Sequence, residues 1–416
     1  MNELTKAKIR KNNMKLYPWY TTLSVDLIFF HVVKFLFLTQ IRGTSASMVV
    51  LSASIYALYM IFLQMPITYM IKKIGFRNGI IVGNLCNVVY VIMILFSSNI
   101  FHLLIAELMS AFCFSFKNIA EPSLLNVSIP KTQKKSNLFS KIDQKGQARF
   151  YYIDSITTML AGFLYAVNPY LPFILTILTS CICALLAKGF INMPIEVEET
   201  QKNSIFTNFK TILQSKRMVL LLLYSGLITG ILALIADYRT SLLVDLQVSA
   251  QATGIIVAII GILAGLSAKR VTIFNNKYHN YSLTYIALGI LILIALAGFI
   301  TLIPLSSIFI IAIVVFCFSV IKMLESLYRG LMRRYLSNFA TPILIDKIYS
   351  AQGMLDNTMR MLIGFLGSFL LNQYCTAEAL IILSMLFVPI LVLLLYFMKS
   401  KVGLKPENYK KKEIFQ

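Results

Sequence analysis

The sequence predicts an all-α membrane protein of twelve spanning helices, arranged as two six-helix halves. Three observations carry that prediction. The first is composition: 58% of the 416 residues are hydrophobic, 13% are charged and the mean hydropathy is +0.77, which leaves too little polar surface to coat a water-soluble globule of this size. The second is the placement of the bases. A formal net charge of +21 would suit a nucleic-acid partner if the bases gathered on one patch, but they lie between apolar segments. The third is an internal repeat. Asp154 opens DSITTMLAGFL and Asp356 opens DNTMRMLIGFL, so Asp154, Met159, Leu160, Gly162, Phe163 and Leu164 recur as Asp356, Met361, Leu362, Gly364, Phe365 and Leu366 at a constant offset of 202 residues. Ungapped identity at half the chain length points to internal duplication.

Twelve apolar segments have the length a spanning helix needs: 17–40, 47–71, 78–98, 100–126, 147–167, 171–192, 218–244, 250–268, 281–303, 306–328, 348–372 and 377–398. They divide into a first half over 1–192, a polar central linker over 193–217 (MPIEVEETQKNSIFTNFKTILQSKR) and a second half over 218–416. With the N-terminus inside, the cytoplasmic segments collect 32 of the 38 Lys and Arg residues, counting Arg149 and Lys188 at span ends, and the outer loops hold only Arg42. This positive-inside bias places both termini in the cytoplasm. It accounts for the basicity with no nucleic-acid partner, anionic lipid being a minor further attraction. The N-terminal basic run leads into a long span that contains Asp26 and has no small-residue cleavage site, so it is expected to stay in the protein.

Cys86, Cys113, Cys181, Cys183, Cys317 and Cys375 show no metal or redox spacing and read as small core residues. His31, His102 and His279 are too scattered for a metal set, and no metal is expected.

Along the chain, the first span begins YPWY, whose aromatics suit an interfacial anchor, and it encloses Asp26 and Lys34, eight residues apart and so on one face of a continuous helix. A charge at mid-bilayer costs roughly 2.5–3.5 kcal/mol, which directs both towards the bundle interior or a wet cavity, either as a packing pair or as a functional one. In the fourth span Lys117 and Glu121 are one turn apart and expected to neutralise each other, Glu107 lacks such a local partner, and Pro122 is expected to kink the end. The stretch KTQKKSNLFSKIDQKGQARFYY that follows reads as a solvated connector, and NPYLP at 168–172 as a tight outer turn. Gly226/Gly230 and Gly261/Gly265 have the GxxxG spacing that lets helices approach closely. Lys322 with Glu325, and Asp356 with Arg360, are spaced to pair within the tenth and eleventh spans. That leaves Asp26, Glu107 and Asp154 as the acids without a same-helix partner, candidates for binding a proton or a cation.

Between the second and third spans the chain reads PITYMIKKIGFRNG, which resembles the signature loop of the major facilitator superfamily, roughly G-x-L-A-D-R-x-G-R-R. Met70, Lys73, Gly75 and Arg77 match in kind, Thr68 stands for the first Gly and Lys72 for the family's Asp; GLSAKR from Gly265 echoes the loop in the second half. The resemblance implies the major facilitator fold and secondary transport by alternating access, with Lys72, Lys73, Gly75 and Arg77 in a cytoplasmic gating loop whose acidic latch is missing. It also implies that the first, fourth, seventh and tenth helices line a cavity, offering Asp26, Lys34, Glu107 and Lys117 from one half and Lys322 and Glu325 from the other. Glu121, Asp154, Asp356 and Arg360 complete the transport and proton-coupling candidates.

The expected activity is proton-coupled efflux of a small amphipathic compound, since embedded acids accompany many Phe, Met and Tyr residues. The fifth span lacks the G-x-x-x-G-P pattern of many drug antiporters. Import of a polar metabolite, with a site dominated by paired charges, and lipid movement on the same scaffold are the alternatives. No catalytic or nucleotide-cradling motif supports an enzyme or an ATP-driven pump, and no cofactor is expected. The expected partners are a small-molecule substrate, protons and the bilayer, with the chain a monomer in a cell membrane. Richness in Lys, Ile and Asn fits a bacterial source with an AT-rich genome.

Overall fold

The computed structural model describes residues 3–130, 135–192, 216–268, 270–278, 281–304, 306–339 and 345–399. The predicted linker therefore lies outside the described residues up to 215, as do the C-terminal lysines and His279. The described chain is helical and without strands, and it divides into two compact units, one of Met1–Glu198 with Ser249–Ala258 and one of Glu199–Val248 with Ile259–Gln416.

The first unit contains α1 (Glu3–Ser24), α2 (His31–Leu36) running into a π turn (Phe37–Ile41), α3 (Ala46–Ile74), α4 (Phe76–Leu95), α5 (Ile100–Ser128), α6 (Lys135–Val167) and α7 (Leu171–Lys188). The second contains α8 (Lys216–Asp245), the part of α9 (Ala250–Ala268) from Ile259 onward, its start belonging to the first unit, and α10 (Val271–Tyr278), α11 (Tyr281–Leu302), α12 (Ser307–Phe339), α13 (Ile345–Gln373) and α14 (Thr376–Met398). Among the described residues, ten helices are long and apolar enough to cross a membrane. The other two predicted spans are the broken α1–α2 segment and α13, whose 29 helical residues include Asp356 and Arg360.

The duplication is visible in which helices pack together. Counting spans within each half, the first packs on the fifth (α1 on α6; α8 on α13), the third on the fourth (α4 on α5; α11 on α12) and the third on the sixth (α4 on α7; α11 on α14). Large apolar side chains such as Phe62, Phe101, Ile292 and Phe309 stay exposed on the spanning helices. That is the surface expected of helices solvated by lipid, where backbone groups bond within the helix and side chains meet hydrocarbon.

Local chemistry sets the boundaries. Ser45 accepts from the Met48 N–H at 3.3 Å, and Asn99 from the His102 N–H at 2.9 Å, capping α3 and α5. Asn168 forms the tight turn between α6 and α7, its Oδ1 accepting from the Tyr170 N–H at 2.9 Å.

Several expectations are corrected. The first span is not one helix: α1 stops at Ser24 and the chain resumes at His31, so Asp26 and Lys34 do not share a helix face. From Lys135 the supposed solvated connector is helical and lies on α1, where Tyr17 bonds Asp143 at 3.4 Å, the Arg149 guanidinium sits 4.2 Å from the Trp19 ring, and a Cβ at Gly146 would overlap the Thr21 hydroxyl. Gly226 and Gly230 do sit at a close approach, against Met359 and Ile363 of α13, but Gly265 meets nothing. Cys181 and Cys375 are exposed rather than in the core.

Candidate functional site

The candidate residues gather in two places, one in each unit. In the first they surround the break between α1 and α2. Three freed backbone groups there find side-chain partners: the Leu27 N–H is taken by Asp26 Oδ1 at 2.8 Å, the Ile28 carbonyl by the Thr176 hydroxyl of α7 at 2.9 Å, and the Ser24 carbonyl by the Lys117 ammonium of α5. Phe29 takes a left-handed conformation, φ 68°, a strain of order 1–3 kcal/mol for a residue with a side chain. An aspartate that bonds its neighbour's amide competes with the helix, which explains why the break falls here.

Asp26 also meets His31 Nε2 at 2.6 Å, and this pair keeps 40% and 55% of its side-chain surface exposed. Asp154 of α6 adds its charge to the surroundings of His31. One turn further, Lys34 Nζ meets Glu107 Oε1 at 2.6 Å, with the carboxylate only 3% exposed. Glu107, expected to lack a same-helix partner, is thus paired across helices. Lys117 and Glu121 do not bond one another. Glu121 accepts from the Tyr20 hydroxyl at 2.7 Å and the Ser24 hydroxyl at 3.2 Å, and Asn84 donates to Tyr20 at 2.8 Å. Both charged residues spend their hydrogen bonds on the end of α1.

In the second unit, Glu325 of α12 is pinned from both sides, Lys322 Nζ meeting its Oε2 at 2.7 Å and Arg329 Nη2 its Oε1 at 2.6 Å. The expected Lys322–Glu325 pair is present, with Arg329 as an added partner. Asp356 bonds Ser225 of α8 at 3.0 Å rather than Arg360, and Ser225 also receives Gln352 at 2.9 Å and Tyr328 at 3.2 Å. The Arg360 Nε is buried without a hydrogen bond.

The predicted gating loop shrinks to one residue. Lys72 and Lys73 lie in the last turn of α3, Gly75 alone separates it from α4 with φ 86° and ψ 158°, and the Arg77 N–H donates to Asn192 at 2.9 Å. Glycine is needed here for its conformation, and a Cβ at Gly75, 2.7 Å from the Asn192 amide nitrogen, would also push that side chain aside.

Sequence reasoning missed His31, Tyr20, Asn84, Ser225 and Tyr328. Only His31 carried a signal, a polar residue close to Asp26 within an apolar run; the others are neutral side chains that matter through partners 64 to 131 residues away.

Helices that bury ion pairs inside apolar bundles define a polytopic membrane protein built to keep charge within its membrane region. A family model described as Major Facilitator Superfamily matches residues 22–368. No curated protein matches the sequence. Solved structures share the fold at low identity: the nucleoside transporter NupG (TM-score 0.67, 13% identity, 96% of this chain and 100% of that one), a POT family transporter in complex with a thioalcohol-conjugated peptide (0.67, 11%, 95% and 96%) and a D-xylose–proton symporter (0.66, 10%, 99% and 100%). The chain belongs to the Major Facilitator Superfamily and is a transporter of that fold.

Proposed function

We propose that this transporter moves a small polar, charge-bearing solute together with protons, by alternating access of its two halves, across a cell membrane with both termini in the cytoplasm. The observation that carries the reading is the half-exposed Asp26–His31 pair in the break of the first span, next to the buried Lys34–Glu107 pair. Charge inside a membrane protein is costly unless paired, and paired charge left open to solvent is available to a ligand or a proton. Histidine is the side chain that ordinarily changes charge between about pH 5 and 8, which suits it to proton exchange with Asp26.

Paired charges dominate both units, and that favours a polar substrate over the amphipathic one expected from composition. The similar folds include a transporter of nucleosides and a symporter of D-xylose with protons, so import alongside protons is the direction we favour. Export of an amphipathic compound is the second reading, supported by the apolar residues Leu232, Phe318 and Ile321 beside the charges of the second unit.

The test is proton movement reported by a pH-sensitive dye in proteoliposomes of known orientation, challenged with polar metabolites and with amphipathic compounds. Inward proton flow on adding a polar metabolite supports the proposal. Proton flow opposite to an amphipathic compound supports export instead. Solute transport with no proton movement for any compound refutes coupling.

A further inference from the structure

We infer that α1 and α6 together form a binding site for the headgroup of an anionic phospholipid of the cytoplasmic leaflet. The site depends on no transported solute, and takes from the proposal above only the cytoplasmic N-terminus. Where they meet, the two helices run side by side in the same direction. Tyr17 bonds Asp143 at 3.4 Å, Gly146 lies against Pro18 and Thr21, and the Arg149 guanidinium sits 4.2 Å from the Trp19 ring. Each helix carries a lysine one turn ahead of that last contact, Lys15 before Trp19 and Lys145 before Arg149. The apolar segments begin at 17 and 147, so the lysines stand just outside the spans and Trp19 and Arg149 just inside them. All four therefore lie at the level of the headgroups.

Trp19 is 58% exposed although Arg149 stacks on its ring, and Tyr152, one turn beyond Arg149, is exposed as well. Aromatic rings with a polar edge favour this depth. Lys15, Lys141 and Lys145 are exposed, and among the described residues neither they nor Arg149 make an ion pair. The acids nearby have other partners. Asp143 takes the Tyr17 hydroxyl and the Gln147 amide, and Glu121 is buried against Tyr20 and Ser24. Asp154 lies about 7.5 Å further along α6, where its charge acts on His31. Setting Asp143 against the four bases still leaves this face positive. Bases at a cytoplasmic span end need no ligand by themselves; what distinguishes these is the stacked pair between two lysines. Stacking occupies the flat face of a guanidinium and leaves its in-plane N–H donors for phosphate oxygens. The lysines add charge that a zwitterionic headgroup, with its own cation, does not balance. The occupant is therefore an anionic lipid, its phosphate at Arg149 and its glycerol region along Trp19 and Tyr152.

The chain has one tryptophan, so the fluorescence of Trp19 reports on this site alone. Purified full-length protein would be reconstituted into vesicles of equimolar phosphatidylglycerol and phosphatidylcholine, with brominated acyl chains, which quench a tryptophan they touch, on one lipid or the other. Both leaflets have the same composition, so the reading does not depend on the orientation of the protein. The expected result is stronger quenching by brominated phosphatidylglycerol, with the excess reduced by salt. Lys15→Gln and Lys145→Gln should each lower the preference about fivefold, the effect of one base near a charged membrane surface. Lys72→Gln, at the end of α3, should leave it unchanged. If a variant fails to fold, the contrast between the two lipids in the unaltered protein still decides. Equal quenching by the two lipids would overturn the site. So would a preference lowered as much by Lys72→Gln as by Lys145→Gln, which would mean a general response to surface charge. No transport is read, so failure of proton coupling leaves this result standing.

Discussion

At the scale of single residues, the strongest commitments are the charges. Lys34 and Glu107 are mostly withdrawn from solvent, with 18% and 3% of their side chains exposed, and breaking one such pair leaves a lone buried charge. Lys34→Met or Glu107→Gln alone should cost about 3–5 kcal/mol, read as a lowered Tm in detergent. The double variant should cost less than the sum of the singles, whereas additive losses would mean the two do not interact. Gly75 is constrained differently. Its backbone region is nearly closed to other residues and Asn192 occupies the space of a Cβ, so Gly75→Ala should cost about 1–3 kcal/mol.

At the scale of elements, close helix approach separates glycines that share a sequence pattern. A Cβ at Gly230 would come within 2.7 Å of Ile363 and 3.0 Å of the Met359 backbone, but one at Gly265 would meet nothing. Gly230→Leu should therefore destabilise by about 1–3 kcal/mol through overpacking, and Gly265→Leu should leave the Tm unchanged; equal losses would contradict the packing of α8 on α13. The existence of most spans was legible in the sequence because hydropathy needs only local information. The break at Asp26 was not, because LIFFHVVKFLFL has the composition of a continuous helix, and although Asp26 itself competes for the Leu27 amide, the partners that satisfy the freed carbonyls, Lys117 and Thr176, lie far away in the chain. Same-helix spacing likewise gave Lys322–Glu325 as a direct ion pair, whereas in Lys117–Glu121 and Asp356–Arg360 the partners feel each other's charge but the carboxylates take their hydrogen bonds from a neighbouring helix.

At the scale of the whole molecule, the recurring packing of first on fifth, third on fourth and third on sixth spans supports descent of both halves from one six-helix ancestor, which the repeat at Asp154 and Asp356 signalled. The charges have diverged more than the scaffold. The first unit places its carboxylates and cations around a broken helix, and the second holds Glu325 between Lys322 and Arg329 on one helix. We assign proton exchange to the former. The most direct measurement compares two modes of transport in proteoliposomes containing the Asp26→Asn variant, once a transported solute is in hand. Solute exchange with no gradient needs the halves to move but no net proton transfer, whereas accumulation driven by an imposed pH gradient needs both. The predicted result is exchange at near the unaltered rate with gradient-driven accumulation abolished. Accumulation that survives the substitution would contradict the assignment of proton coupling to the broken first span.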